Sequence, residues 1–200
     1  MQLHKRDVVD AATALLDSYG IADLTMRRLA RELDVSPGAL YWHFANKQQL
    51  LGAVADRILQ PACAGVAATG WRQRIELIGA RLRDALLSHT DGAELVSASF
   101  AAGQSRAATD IVCGLADAAC RAGVAPGPAE LAARTIAYYV LGFTADEQSR
   151  LQWDAAGALA EEQSVLSVDP SARFAFGLRL LIDGIAAHRV ETELMQQEFE

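Results

Sequence analysis

Apolar residues recur at helical spacing along most of the chain. Val8, Val9, Ala12, Leu15, Leu16 and Tyr19 make one stripe and predict a helix over 5–19, closed by Gly20. Leu29 and Leu33, four apart, share a face of a short second helix, and Leu40 and Phe44 repeat the spacing in a third. Leu50, Leu51, Val54, Ile58 and Leu59 give a fourth helix its buried side, with its end expected near Pro61. A fifth is expected over 71–88. It carries Trp71, Ile75, Ile78, Leu82, Ala85 and Leu86 on one side and Arg72, Arg74, Glu76, Arg81, Arg83 and Asp84 mostly on the other. Shorter or irregular helix is expected over 93–100, then helices over 105–122, 128–150 and 171–189. Residues 60–70 read as a loop or loosely wound link, 151–169 as an acidic excursion holding a partial helix, and 191–200 as a frayed acidic tail. Alanine is abundant and β-branched runs are short, so the expected fold class is all-α.

Start signals sharpen the first sixty residues. Thr25 is placed to cap the second helix, and Ser36-Pro37 pairs a serine N-cap with proline at the first helical position, where its missing N–H costs nothing. Asn46 precedes Gln49 in capping-box spacing at the head of the fourth helix. Val35 plugs the angle between the second and third helices. Helix, turn of about four residues, helix is the helix-turn-helix pattern, whose second helix enters the DNA major groove. Pro37, Gly38 and Ala39 are small and permit close approach to base edges. Tyr41, Trp42 and His43 cannot all face a core from so short a helix, so some are exposed beside Lys47. The competing reading is that Tyr41 and Trp42 cap a small hydrophobic core.

Composition and charge fit that picture once the chain is divided. It has 200 residues, is 52% hydrophobic and carries a net charge of −7. Residues 1–59 hold seven basic and seven acidic groups; the remainder holds 11 and 18, which accounts for the whole −7. Arg27, Arg28, Arg31 and Lys47 cluster around the motif, where they can grip phosphates. The division expected is a helix-turn-helix DNA-binding domain over 1–59 and a larger domain over 60–200. Cys63, Cys113 and Cys120 form no CxxC pair, which argues against a disulfide framework or a zinc site; Cys113 and Cys120 read as small buried hydrophobes, or alternatively as a redox pair. No basic, apolar leader and no uncharged apolar window of membrane-spanning length is present, so the cytoplasm is the expected compartment, with no membrane partner.

The segments 129–150 and 171–189 are apolar most of the way round, which points to burial on several sides and so to a subunit interface. A dimer is also what reading DNA calls for, because one short helix contacts too few base pairs to be selective.

Leu40-Tyr41-Trp42-His43-Phe44, followed by Asn46-Lys47 and Leu50-Leu51, resembles the recognition-helix signature of the tetracycline-repressor (TetR) family, over roughly residues 5–58. The resemblance implies an N-terminal three-helix helix-turn-helix domain joined to a larger α-helical effector-binding and dimerisation domain. It also implies a homodimer built through the last two long helices as a four-helix bundle, on a palindromic double-stranded DNA operator. Pro37, Gly38, Ala39, Tyr41 and Arg27 are then expected to read bases, with Ser36 heading that helix, and Thr25, Trp42, His43 and Lys47 to hold phosphates. His89-Thr90-Asp91-Gly92-Ala93 resembles a His-x-Asp-Gly-Ala turn of the tetracycline repressors, and Leu141-Gly142-Phe143 with Asp146-Glu147-Gln148 resembles one of their helix ends. A magnesium-ligating histidine of those proteins falls on Val96, and a drug-binding histidine on Cys63. No metal and no cofactor are therefore expected, and the effector expected is a different, more apolar small molecule. Its candidate contacts are Trp71, Ile75, Ile78, Leu82, Phe100, Tyr138, Tyr139 and Phe143, with His89 or Glu147 making one polar contact.

The expected function is a ligand-responsive transcriptional regulator, most simply a repressor released by its effector. The alternatives are a constitutive DNA-binding repressor and an all-helical enzyme. Against the enzyme, the chain has no nucleophile–base pair, no metal-spaced histidine or cysteine cluster and no glycine-rich phosphate loop.

Overall fold

In the computed structural model the described residues are 3–63, 65, 70–159 and 169–197, with side chains described as far as His188. Among them are nine helices and no strand: α1 Lys5–Asp23, α2 Met26–Glu32, α3 Pro37–Tyr41, α4 Lys47–Leu59, α5 Trp71–Leu87, α6 Gly92–Ala101, α7 Arg106–Arg121, α8 Pro126–Ala155 and α9 Pro170–Gln197. The all-α fold class stands. No helix among the described residues is long and apolar enough to cross a membrane.

Two compact units are present. The first comprises residues 1–61 together with 84–109, the second 62–83 together with 110–200. In the first, α1 packs on α2 and α4, α2 on α3, and α4 on α6. Its fully buried side chains include Val8, Leu16, Leu29, Leu40, Phe44, Leu50, Val54 and Ile58, the stripes read from the sequence. Removing one of them, Leu40→Ala for instance, costs about 2–5 kcal/mol through lost transfer energy and the cavity left behind. In the second unit α8 packs on α9. The core there includes Ile75, Leu82, Leu115, Ile136, Val140, Phe174, Leu178 and Ile182.

Several boundaries depart from expectation. Gly20 does not end α1; it breaks it, with φ 77 and ψ 175, and helical turn resumes to Asp23. α8 is longer than 128–150: Pro126 starts it at the favoured first position, and it runs through Gly142 to the left-handed Gly157. α9 continues through Gln197, so the segment from Glu191 to Gln197 is helix rather than frayed tail. The acidic run Glu161–Ser164, expected in a partial helix, lies outside the described residues. Cys113 and Cys120, expected buried, are exposed: they do share a face of α7, but the face opposite Ile111, Leu115, Ala118 and Ala122. Arg83, expected on the outer side of α5, is buried.

Candidate functional site

Each helix of the helix-turn-helix is fixed by its own capping residue. Thr25 Oγ1 accepts from the backbone N–H of Arg28 at 3.2 Å, and Ser36 Oγ accepts from Ala39 N–H at 3.3 Å, each satisfying an orphan donor of a first turn. Asn46 Oδ1 accepts from Gln49 N–H at 2.9 Å. Gln49 returns the bond one residue earlier than the capping box predicts, accepting through Oε1 from Ala45 N–H at 3.1 Å.

The turn between α2 and α3 has a defined geometry. Val35 N–H bonds to Ala30 C=O at 2.9 Å and Asp34 N–H to Arg31 C=O at 3.2 Å, the two reverse bonds of a Schellman motif. That motif needs a left-handed residue, and here it is Asp34, at φ 51, where α6, α7 and α8 use Gly103, Gly123 and Gly157. The turn places Leu40 and Phe44 in the core and turns the opposite face of α3 to solvent.

None of the expected reading residues is buried. Thr25, Arg27, Ser36, Pro37 and Gly38 are exposed, and Ala39, His43 and Lys47 are half-buried. Tyr41 is 51% exposed and Trp42 91%. The core-capping alternative for these two rings is thereby removed. Exposed ring edges, small residues and cations are the groups that base-edge and phosphate contacts use. Arg28 is the exception to the expected phosphate cluster: it forms an ion pair with Asp23 and its guanidinium lies 3.9 Å from the centroid of the Tyr19 ring. Lys5 Nζ lies 4.9 Å over the Phe44 ring.

The expected effector residues divide. Tyr139, Phe143 and Glu147 come together on α8. The Tyr139 ring stacks on Phe174 at 5.6 Å, and Phe143 meets Phe174 edge-on at 5.4 Å. Tyr139 Oη donates to Phe174 C=O at 2.8 Å, and burial pushes its phenol pKa above the ordinary value of 10, against the lowering effect of Arg83. Glu147 is committed to a partner that sequence reasoning missed: Arg83 donates to its two carboxylate oxygens at 2.6 and 2.8 Å, with both side chains buried. Arg83 also lies 5.2 Å from the Phe174 ring centroid. Glu147 is thus a member of an internal ion pair rather than a group facing open space. Tyr138 points outward and is exposed. Trp71 is half-buried under Arg72, 4.7 Å from its ring centroid, and Leu82 is core. Phe100 and His89 belong to the first compact unit, where His89 Nδ1 lies 3.0 Å from Asp17. The Val96 side chain is buried and Cys63 is exposed.

Two concavities of the second unit stand out. One, about 210 Å³, is lined by Cys63, Arg74, Ile78, Asp110, Ile111 and Gly114 among others. Of the expected effector contacts it includes Ile78. Arg74 Nε is buried there without a hydrogen-bond partner among the described residues; its Nη2 is 3.7 Å from Asp117, which sits closer, at 3.2 Å, to Arg121. The other, about 280 Å³, is an apolar groove between α8 and α9 lined by Leu131, Ile136, Leu181 and Ile185 among others. Among the described residues no group of histidine, cysteine or carboxylate side chains is arranged to hold a metal ion.

Comparison with known proteins bears on both units. Residues 8–54 match the model of bacterial regulatory proteins of the tetR family, and residues 67–165 that of the tetracyclin repressor-like C-terminal domain. The crystal structure of Mycobacterium smegmatis BioQ is similar over 93% of this chain and 99% of its own, with 63% identity and a TM-score of 0.84. The structure of BioQ with its natural double-stranded DNA operator matches at 62% identity and a TM-score of 0.82, over 94% of this chain and all of that one. The tetracycline repressor protein class E of Escherichia coli is 34% identical over 194 residues, 90% of each chain.

Proposed function

The chain belongs to the TetR family of bacterial regulatory proteins, a DNA-binding transcriptional regulator rather than an enzyme, and from that premise we propose a homodimeric repressor of a palindromic operator, released by a small molecule. The observation that carries the DNA-binding half is the surface around Trp42 and Tyr41: two large rings with most or half of their area in water, beside Lys47, on a short helix capped and angled by Ser36 and Asp34. Keeping a tryptophan 91% exposed gains nothing in folding, so it is there for a partner. In this reading residues 1–59 bind DNA and 60–200 sense the effector and dimerise. Pro37, Gly38, Ala39, Tyr41 and Arg27 meet base edges, while Thr25, Trp42, His43 and Lys47 hold phosphates.

Dimerisation through α8 and α9 is supported by their apolar outer surface. Leu131, Tyr138, Phe176 and Leu180 are all exposed, and the groove between the helices is almost wholly apolar. A twofold dimer reads two half-sites about one turn of DNA (~34 Å) apart or a multiple of it. The effector is assigned to the 210 Å³ cavity, whose wall mixes Ile78 and Ile111 with Arg74 and Asp110, so the ligand has a polar end as well as an apolar body. It can release DNA only by binding the non-DNA-fitting form more tightly than the DNA-fitting one.

The cavity is small beside the roughly 300–1,000 Å³ of common ligand sites, and this favours a second reading, a constitutive repressor without effector. Two experiments decide. Duplexes enriched from a random pool by the purified chain should converge on an inverted repeat; failure of a folded dimer to enrich any sequence at moderate salt refutes the first half. A small-molecule library screened by melting temperature should contain ligands that raise it by mass action and weaken operator binding; a library with none supports the constitutive reading.

A further inference from the structure

The His-Thr-Asp-Gly-Ala turn singled out in the sequence does its work inside the first compact unit. His89 Nδ1 lies 3.0 and 3.1 Å from the two carboxylate oxygens of Asp17 on α1. Thr90 N–H donates to the same carboxylate at 3.3 Å, and Thr90 Oγ1 donates to the Asp17 C=O at 3.0 Å. Asp91 accepts the Ile21 N–H at 3.0 Å, the donor freed where Gly20 breaks α1. Two left-handed residues, Gly20 and Asp91, meet here, and a Cβ on Gly20 would lie 2.5 Å from the Asp91 carboxylate. These bonds fasten the turn before α6 to α1.

Beyond α6, the start of α7 is fastened to α4. Asp56 Oδ1 accepts from Ser105 Oγ at 2.8 Å and from Ala107 N–H at 2.9 Å. Ser105 Oγ in turn accepts from Ala108 N–H at 3.1 Å, so one carboxylate of α4 and one hydroxyl together cap the first turn of α7. One turn earlier on α4, Gly52 lies so close to the backbone of Gln104 that a Cβ would come within 2.3 Å of its carbonyl oxygen. The segments flanking α6 are therefore held, by side chains 49 to 73 residues away in sequence, to the helices on either side of the reading motif.

We propose that Asp56 is a positioning residue for operator binding: by capping α7 it sets the lie of α4, and with α4 the presentation of the recognition helix that immediately precedes it. Asp17 performs the corresponding service for α1. This rests on the DNA-binding reading and deepens it, because it names a residue that holds α4 in place behind the reading face. The Ser105–Ala107 corner is tied to α4 by hydrogen bonds to one carboxylate and by the close approach of Gln104 to Gly52.

The sign of one substitution separates positioning from charge. Asp56 is acidic and lies off the reading face, so Asp56→Ala judged on electrostatics alone should tighten DNA binding. Positioning gives the opposite sign: a loss on the order of tenfold in operator affinity, with the salt dependence of binding unchanged, because no phosphate contact is removed. The measurement is fluorescence anisotropy on the duplex enriched by the wild-type chain, well below the melting temperature, with the folded fraction checked by circular dichroism. Asp56→Asn keeps an acceptor oxygen for Ala107 N–H and should restore most of the affinity; Ser105→Ala, which leaves the Ala107 bond in place, should fall between. Should Asp56→Ala not fold, Asp56→Asn and Ser105→Ala carry the test by that ranking. Unchanged or tighter binding by a folded Asp56→Ala, or no rescue by asparagine, overturns the proposal while leaving the DNA-binding reading intact. A wild-type chain that binds no duplex removes both.

Discussion

Glu147→Ala is the sharpest test of the second unit's interior. It leaves the Arg83 guanidinium buried, 8% exposed, without the two charge-assisted bonds it now makes. What remains to it is Ser171 Oγ at 3.5 Å and the face of Phe174. Stranding one member of a buried ion pair costs about 3–5 kcal/mol. At about 2–4 °C per kcal/mol for a chain of this length, the melting temperature should fall by roughly 6–20 °C. The assay is urea unfolding followed by far-ultraviolet circular dichroism, at one fixed chain concentration because a dimer's stability depends on it. The double replacement Arg83→Met with Glu147→Leu removes both charges at similar volume. It should recover most of the loss and end within about 2 kcal/mol of wild type, or above it. The coupling from the full cycle should exceed about 2 kcal/mol. A loss below about 1 kcal/mol for Glu147→Ala is the value of an exposed pair. It would mean that water reaches the guanidinium, and the account of Glu147 as an internal partner would fail.

Three further outcomes follow from other features. Arg28→Ala should leave the slope of operator affinity against salt nearly unchanged, because Arg28 is committed to Asp23 and Tyr19, whereas Lys47→Ala should lower it by about one; equal slopes for the two variants contradict the assignment. Tyr139, one of four tyrosines, should ionise last in an ultraviolet titration of the folded chain. Its folded pKa is raised by burial, so the neutral phenol's contribution is fully present below the unfolded value near 10 and is lost as pH rises past it; Tyr139→Phe should flatten that alkaline decline of stability. Asp34→Val should cost about 1–2 kcal/mol, since a β-branched residue is forced left-handed at φ 51, while Asp34→Gly should be neutral or slightly stabilising in thermal melts; comparable losses for both would show that the backbone angle is not the cause.

The features legible in the sequence share a physical cause: their determinants lie within a few residues of one another. Thr25, Ser36-Pro37 and Asn46 cap helices through bonds three residues long, and the stripes of α1 and α4 follow from helical period alone. Asp34 escaped notice because the rule for ending a helix looks for glycine, and an aspartate tolerates the same left-handed angle at some cost. Gly20 was visible, but whether it stops or merely breaks α1 is settled by Asp91, seventy residues on, which takes up the N–H that the break releases. Arg83 reads as surface charge and Glu147 as a candidate polar contact to the effector. Only a partner 64 positions away makes their burial tolerable, and nothing in the neighbouring residues of either announces the other. Tyr138 and Tyr139 show the same limit on a helix that is apolar nearly all round: period does not say which of two adjacent rings faces in, and the Phe174 carbonyl decides for Tyr139.

The exposed rings of α3 were legible for the converse reason. With Leu40 and Phe44 taken by the core, a five-residue helix has no inward position left for Tyr41 or Trp42, so local geometry alone drives them into solvent. A side chain whose exposure is dictated by its neighbours, and which leaves apolar area in water, is a candidate contact for a partner outside the chain. A side chain whose burial depends on distant partners, such as Arg83, reports only on the fold. The exposure of Tyr41 and Trp42 could therefore be inferred before any coordinates, whereas the surroundings of the proposed effector contacts, drawn from a helix-rich interior where apolar residues have packing roles, could not.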